Sequence, residues 1–330
     1  VVVHAGPDAA RTSHKDDIWP AKWILRNPVK IGKTSVNKFL TIAGAQEDIK
    51  IGTPCHEIGH LLFGFPDLYD TDNKDNAGIG EWGLMGAGNW LGDRNRPCHP
   101  SAWCKIHAGW VTVKDIVCPG ELLIDPVLHT HTVYRYYVDN NQRSKEYFLI
   151  ENRQKIGFDT DLRGEGLLIW HIDDSIPDNT SENHPKVRLI QADGKNDLVT
   201  GNKKDRGDKG DPYPGSSKTT KFTFTSKPSS KNYSLNDSGL KITNISQKGL
   251  MMFINIQLLG ALQIGNQYAG GIIFKLNPDR KSGLVISEKD LGEYNWEEAS
   301  RVCKDLDLAG YTDWELPSSA DWNLIYYNLG

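Results

Sequence analysis

The chain has 330 residues, 38% of them hydrophobic and 24% charged, with a formal net charge of -4. That length has room for two or three domains at roughly 100–200 residues apiece. The charge leaves no basic footprint for nucleic acid, and no apolar run approaches the roughly 18–20 residues of a transmembrane segment.

The opening Val1-Val2-Val3-His4-Ala5-Gly6 has neither an initiator Met nor a charged-then-apolar leader, so it reads as an interior strand of a fragment or processed chain. Up to about Val113 the chain is rich in Gly and Trp. Val1–Val3 and Phe39–Ala43 are predicted as short buried strands, and Pro54–Phe63 and Ser101–Ala108 as short helices. From Lys114 to about 260 strand-like runs dominate: His131–Val138, Glu146–Glu151, Gly166–Ile172, Lys186–Gln191 and Leu250–Gln257. Polar turns separate them, as in an all-β sandwich. The stretch Asp193–Lys231 reads as loop. From Gln263 mixed signals return, with strands at Gly271–Lys275 and Gly283–Ile286 and a helix at Trp296–Leu308. The expected fold class is α+β in three parts, 1–113, 114–260 and 263–330.

The helix at 54–63 carries the chemistry. Thr53 is expected to cap it, Pro54 suits its first helical position, and Gly64 is its stop. His56 and His60 are four residues apart and share one face, so both imidazoles can reach one tetrahedral zinc ion. Glu57 lies beside the first ligand but is angled away from the metal, which suits a base acting on water. The competing reading is a solvated helix with two surface histidines. Three neighbouring features count against it. Gly64 turns the chain shortly before Asp67, an oxygen donor that would complete three ligands and leave one position open. Met85 lies in the Gly-rich turn Gly80–Trp90, as in a Met-turn beneath a metal. Pro100–Trp110 then forms a short capped helix.

His56–Asp70 (HEIGHLLFGFPDLYD), Gly80–Trp90 (GEWGLMGAGNW) and the helix ending in Gly109-Trp110 resemble the immune inhibitor A family of bacterial metallopeptidases. Val2–Gly6, Asp17–Pro20, Tyr147–Arg153 and Gly166–Asp173 share in the resemblance, which covers about 1–258. It implies a zincin or metzincin-like catalytic domain and an extracellular, secreted or cell-surface zinc endopeptidase acting on proteins or peptides. By the same resemblance His56 and His60 hold zinc, Glu57 is the general base, Met85 forms the Met-turn and Asp67 is the third ligand. The family usually reads HExxHxxGxxD, whereas Gly64 and Asp67 each fall one residue later here. Asp70 is therefore the runner-up for third ligand, and water alone the remaining option. Gly270–Phe274, Gly283–Ile286 and Gly310–Pro317 are similar to the C-terminal domain of bacterial collagen-like adhesins, with the chain ending before such a domain is complete. That similarity implies attachment to a cell-surface or glycan ligand. It also leaves a second reading of the whole, a non-catalytic adhesin on a peptidase scaffold.

Two loops concentrate carboxylates. Asp70, Asp72 and Asp75, with Asn73, form either a calcium site or a solvated acidic loop, and Asp205, Asp208 and Asp211, interleaved with Gly207 and Gly210, pose the same choice. Cys55, Cys98, Cys104, Cys118 and Cys303 are an odd set without a C-x-x-C pair, so bridges among Cys98, Cys104 and Cys118 remain open.

Overall fold

The computed structural model describes residues 1–44, 50–72, 76–200, 205–247, 249–259, 264–277, 282–308 and 310–330. The chain divides into two compact units, Val1–Ile116 with Gly120–Gln257, and Val117–Pro119 with Leu258–Gly330. No helix among the described residues is long and apolar enough to cross a membrane.

The first unit starts with β1 (Val2–His4), a single turn α1 (Ala9–Thr12), and a hairpin of β2 (Ala21–Ile31) and β3 (Thr34–Ala43). β1 runs parallel to β3 and β2 antiparallel to it, in the order β1-β3-β2. Sequence patterning finds β1 and the end of β3 but not β2, because Pro28 interrupts it. The ladder shifts register between Ile24 and Val29, on an edge strand where a missing N–H can go unused. Gly32, at φ +60°, opens the two-residue turn between Ile31 and Thr34. α2 (Gly52–Ile58) runs into a π-helical turn at Gly59–Phe63. Short 3₁₀ turns at Gly80–Trp82 and Ala87–Trp90 precede α3 (Ala102–His107), which Ser101 caps by accepting the Cys104 N–H.

Then come β4 (Thr112–Asp115), β5 (Gly120–Ile124), α4 (Val127–Thr130), β6 (Thr132–Tyr137), β7 (Glu146–Arg153), β8 (Gly166–Asp173), β9 (Val187–Ile190), α5 (Asp197–Thr200), β10 (Leu240–Thr243) and β11 (Met252–Leu258). One sheet has the order β4-β6-β7-β8-β9 and a second has β10-β11-β5. β8 is buried along its whole length and β7 at all but its first residue. Side chains alternate across a strand, so each strand supplies two buried faces. Tyr147 and Leu149 join Leu168, Trp170 and Ile172 in one cluster with Phe65, Leu68, Trp82, Met85 and Trp103 from earlier in the chain. On the opposite face Phe148 meets Phe222 edge to face at 5.4 Å, and Asn152 donates to the Ile124 and Leu250 carbonyls beside the second sheet.

The second unit carries β12 (Gln267–Tyr268), β13 (Gly271–Leu276) and β14 (Gly283–Ser287) in an antiparallel meander, then α6 (Trp296–Lys304) and α7 (Ser319–Leu329). Asn295 with Glu298 and Ser318 with Asp321 form reciprocal capping boxes. Hydrophobic patterning does not find α7; its capping box is the signal the sequence offers. All five cysteines are free thiols in this structure.

A charged group lies inside the first unit. Lys105 of α3 donates to Glu151 of β7 at 2.5 Å, Arg153 reaches Glu151 at 3.3 Å, and Arg153 grips Asp159 with two bonds of 2.7 and 2.8 Å. None of the four side chains is more than 6% exposed. Two cations and two carboxylates cancel, and the Trp170 indole adds a bond to Glu151 at 3.1 Å. Replacing Glu151 by Ala leaves Lys105 without its carboxylate, so urea unfolding should show a loss of about 3–5 kcal/mol. Replacing Lys105 and Glu151 together by Met should cost clearly less than that, because no unpaired charge remains.

His171 is buried, and burial holds its imidazole below the ordinary value even though Glu146 bonds it at 2.8 Å. The unfolded chain therefore takes up this proton more readily than the folded one. The resulting stabilisation is full above the unfolded value of 6.5 and is lost as pH falls below it. Melting temperatures at pH 7.5 and 5.5 should show a steeper acid-side drop for the wild type than for His171→Gln.

Candidate metal centre

α2 is wedged into place at its first residue. A Cβ on Gly52 would lie 1.9 Å from the Asn89 carbonyl, and the Gly52 N–H donates to the Arg94 carbonyl at 2.8 Å. This corrects the expected cap: Ile51 holds the N-cap position without a side-chain bond, and Thr53 lies within the helix with its hydroxyl unpartnered. Pro54, expected at the first helical position, is the third residue of the helix, within the first turn where N–H groups have no intrahelical acceptor.

The extra residue between His60 and Gly64 has a definite place. Gly59–Phe63 winds as a π-helical turn, and Gly64 closes it at φ +69° with its N–H on the Gly59 carbonyl. A π turn holds one residue more than an α turn over the same rise, so the insertion is absorbed without displacing the residues beyond it. The Phe65 N–H also reaches the Gly59 carbonyl, at 3.3 Å, and the chain then delivers Asp67 back to the two histidines.

His56 Nε2, His60 Nε2 and Asp67 Oδ1 converge. The separations are 3.0 Å (His56 to Asp67), 3.2 Å (His60 to Asp67) and 3.1 Å (between the imidazoles). On the far side of each ring, His56 Nδ1 lies 2.9 Å from the Leu84 carbonyl and His60 Nδ1 lies 2.6 Å from the Phe65 carbonyl. A carbonyl can only accept, so both Nδ1 atoms carry the proton and both Nε2 atoms of the neutral rings present lone pairs. Three electron pairs thus face one another, an arrangement that requires positive charge at its centre. Without a metal a proton is the substitute. Burial works against charging His60, yet its bond to Asp67 and the negative charges of Asp67 and Glu57 raise its pKa overall. Asp67 is itself partly desolvated, but the two imidazoles hold its carboxyl well below the usual range.

Glu57 is buried beside this cluster and outside it. Desolvation raises its pKa, against the lowering influence of His56, His60 and a backbone bond from Lys22 on β2. Met85 is fully buried beneath the helix, and a Cβ on Gly59 would come within 2.8 Å of its sulfur. The Met85 carbonyl accepts the Leu68 N–H at 2.8 Å, which ties the turn to the segment bearing Asp67. Sequence reasoning missed Tyr69, whose ring stacks at 6.3 Å from that of His56 and whose hydroxyl pKa is raised by burial and by the nearby negative charge of Asp67. It also missed the Leu84 and Phe65 carbonyls, since a backbone acceptor leaves no mark on residue type.

Asp70 is not among the converging donors. It is buried, and its Oδ1 accepts the Asp72 N–H at 2.9 Å. Asp75, the third residue of the expected calcium loop, lies outside the described residues. In the later loop Asp208 and Asp211 come together with Asp193, which the sequence did not single out, and Asp205 is not in that group. Lys195 places its ammonium 2.7 Å from Asp193 and 3.0 Å from Asp208.

Residues 2–113 match the family model described as immune inhibitor A peptidase M6, catalytic domain, so this segment is similar to that family of peptidases. The match takes in α2, the π turn, Asp67 and Met85. No curated protein matches the chain.

Leu62 is 69% exposed and lies in the π turn, so it serves only to fill the winding. Deleting Leu62 should let the turn relax to α and retain the three-donor site, read as unchanged metal stoichiometry. Gly59→Ala should do the opposite: forcing a methyl against Met85 costs about 1–3 kcal/mol and should weaken metal binding, measurable by denaturation and chelator competition.

Proposed function

We propose that the chain is a zinc-dependent endopeptidase, with His56, His60 and Asp67 as the metal ligands and Glu57 as general base. The observation that carries this is the convergence of three electron pairs within 3.0–3.2 Å, with both imidazoles locked by carbonyls into the ligating tautomer. Ligand atoms at about 2.0–2.2 Å from one ion at tetrahedral angles lie about 3.3–3.6 Å apart. The donors would therefore need to spread by only a few tenths of an ångström. Two imidazoles and one carboxylate are a donor set suited to catalytic zinc, with a fourth position left for water or substrate.

When bound, zinc would polarise the attacking water and the scissile carbonyl. The protein's own contribution to proton transfer falls to Glu57. It lies outside the donor cluster, so its carboxylate is free to take the proton from the attacking water and pass it to the departing amine. Asp67 would supply the third donor beside the two imidazoles. Location outside the cell and a separate attachment role for 263–330 belong to the same proposal, and rest on sequence resemblance alone.

Glu57→Gln should keep one zinc per chain while cutting peptide cleavage by several orders of magnitude, and undiminished cleavage would sink the mechanism. Asp67→Ala should lower zinc affinity by at least one or two orders of magnitude, whereas Asp70→Ala should leave it near wild type. Zinc titration of the two variants against a chelator decides between the carboxylates.

A further inference from the structure

The Leu84 carbonyl orients His56, and the groups that hold that carbonyl come from far along the chain. The Leu84 N–H donates to the His99 carbonyl at 3.3 Å, and the His99 N–H donates to Asp159 Oδ1 at 2.9 Å. Asp159 is in turn fixed by the two bonds from Arg153, at 2.7 and 2.8 Å. A continuous line of bonds thus runs Arg153, Asp159, His99 backbone, Leu84 backbone, His56. Arg153 and Asp159 are fully buried and His56 nearly so, leaving water little access with which to replace a missing link. The side-chain bonds are short and charge-assisted at the Arg153 end, where the geometry is bidentate and rigid.

The same turn is clamped at other points from the same part of the chain. The Trp82 indole donates to Asp211 at 2.8 Å, Arg163 pairs with Glu81, and the Glu81 N–H donates to the Arg206 carbonyl at 2.8 Å. Those contacts fix where the turn lies. Of all these bonds, the line through His99 is the one that ends on the carbonyl selecting the tautomer and ring orientation of a donor.

We propose that Arg153 and Asp159 are positioning residues for the metal centre, acting through the His99 and Leu84 backbone on His56. This deepens the zinc reading above and rests on it. Groups that hold a ligating histidine from behind commonly change metal affinity by about 10–100-fold. Here the effect would be exerted by an ion pair that touches neither the metal donors nor Glu57. On this reading residues beyond 113 take part in building the centre.

The test is zinc affinity of the full chain, by chelator competition, for wild type, Asp159→Asn and Arg153→Lys. Ile242→Ala, a buried change on β10 with no bond to this line, is the control for general destabilisation. All are measured well below their melting temperatures and with native near-ultraviolet dichroism. The expected result is at least a tenfold loss of zinc affinity in Asp159→Asn, a smaller loss in Arg153→Lys, and an affinity within twofold of wild type in Ile242→Ala. Cobalt-loaded Asp159→Asn should also show an altered visible d–d spectrum, which lowered stability alone would not produce. If Asp159→Asn does not fold, Arg153→Lys decides by the same two readings. Wild-type affinity and an unchanged cobalt spectrum in the folded variant would overturn the inference, as would an equal loss in the control. A wild type that binds no zinc would instead overturn the metallopeptidase reading on which it stands.

Discussion

Two backbone carbonyls, those of Leu84 and Phe65, decide what His56 and His60 can do. Each takes the proton-bearing nitrogen of one ring, so the other nitrogen of each must point a lone pair inward, toward Asp67. Everything nearby can be read as a consequence of supplying those carbonyls in the right places. Phe65 is supplied locally, by the π turn and the left-handed Gly64 that reverse the chain after His60. Leu84 is supplied from a distance, by a Gly-rich turn that packs Met85 under Gly59 with no space for a methyl group between them. A histidine pair on an exposed helix would have water at these positions and no fixed tautomer. Burial of the bonds behind the rings is what separates a ligand pair from two surface imidazoles.

The π turn explains how a spacing one residue longer than HExxHxxGxxD can still bring Asp67 to the two histidines. Adding a residue to an α-helical turn normally rotates everything after it by about 100°. Here the added residue is taken up by a wider winding with the Gly64 N–H reaching back to Gly59, and Asp67 regains its place. Such turns are costly in isolation because the wide bore loses contact across the axis. This one is offset by packing at both ends: Gly59 is pressed on Met85 and Phe65, and Phe63 stacks at 5.4 Å on Phe65.

Much of the centre was legible in the sequence because its donors are side chains at helix spacing. His56, Glu57 and His60 follow from period and chemistry alone, whereas the sequence left Asp67 open against Asp70 and water, and the fold is what brings its carboxylate to the imidazoles. The long strands β7 and β8 were legible too, from the apolar stretches Tyr147–Ile150 and Leu167–Trp170 at their centres. The features that escaped have a common physical cause. The expected Thr53 cap failed because tertiary wedging of Gly52 against Asn89 set the helix start, and a side-chain propensity could not compete with it. β2 was hidden by Pro28, which an edge strand tolerates and a central one would not. Asp193 joined Asp208 and Asp211 only through folding of a loop whose own composition pointed to Asp205 instead.

The buried charges on β7 are the less obvious part of the design. Glu151 and Arg153 alternate with Phe148, Ile150 and Asn152, so the strand turns apolar groups and an amide toward one neighbour and ions toward the other. An apolar strand could fill that volume at least as stably, since desolvating four charged groups consumes most of what their pairing returns. Apolar side chains have no preferred angle, however, and could not aim a bond at the His99 N–H. A guanidinium held in two bonds by a carboxylate has a fixed plane, and Asp159 inherits that plane. The ion pairs therefore make most sense as a source of direction. They fix the His99 N–H, the His99 carbonyl holds the Leu84 N–H, and Leu84 in turn carries the carbonyl against which His56 is set.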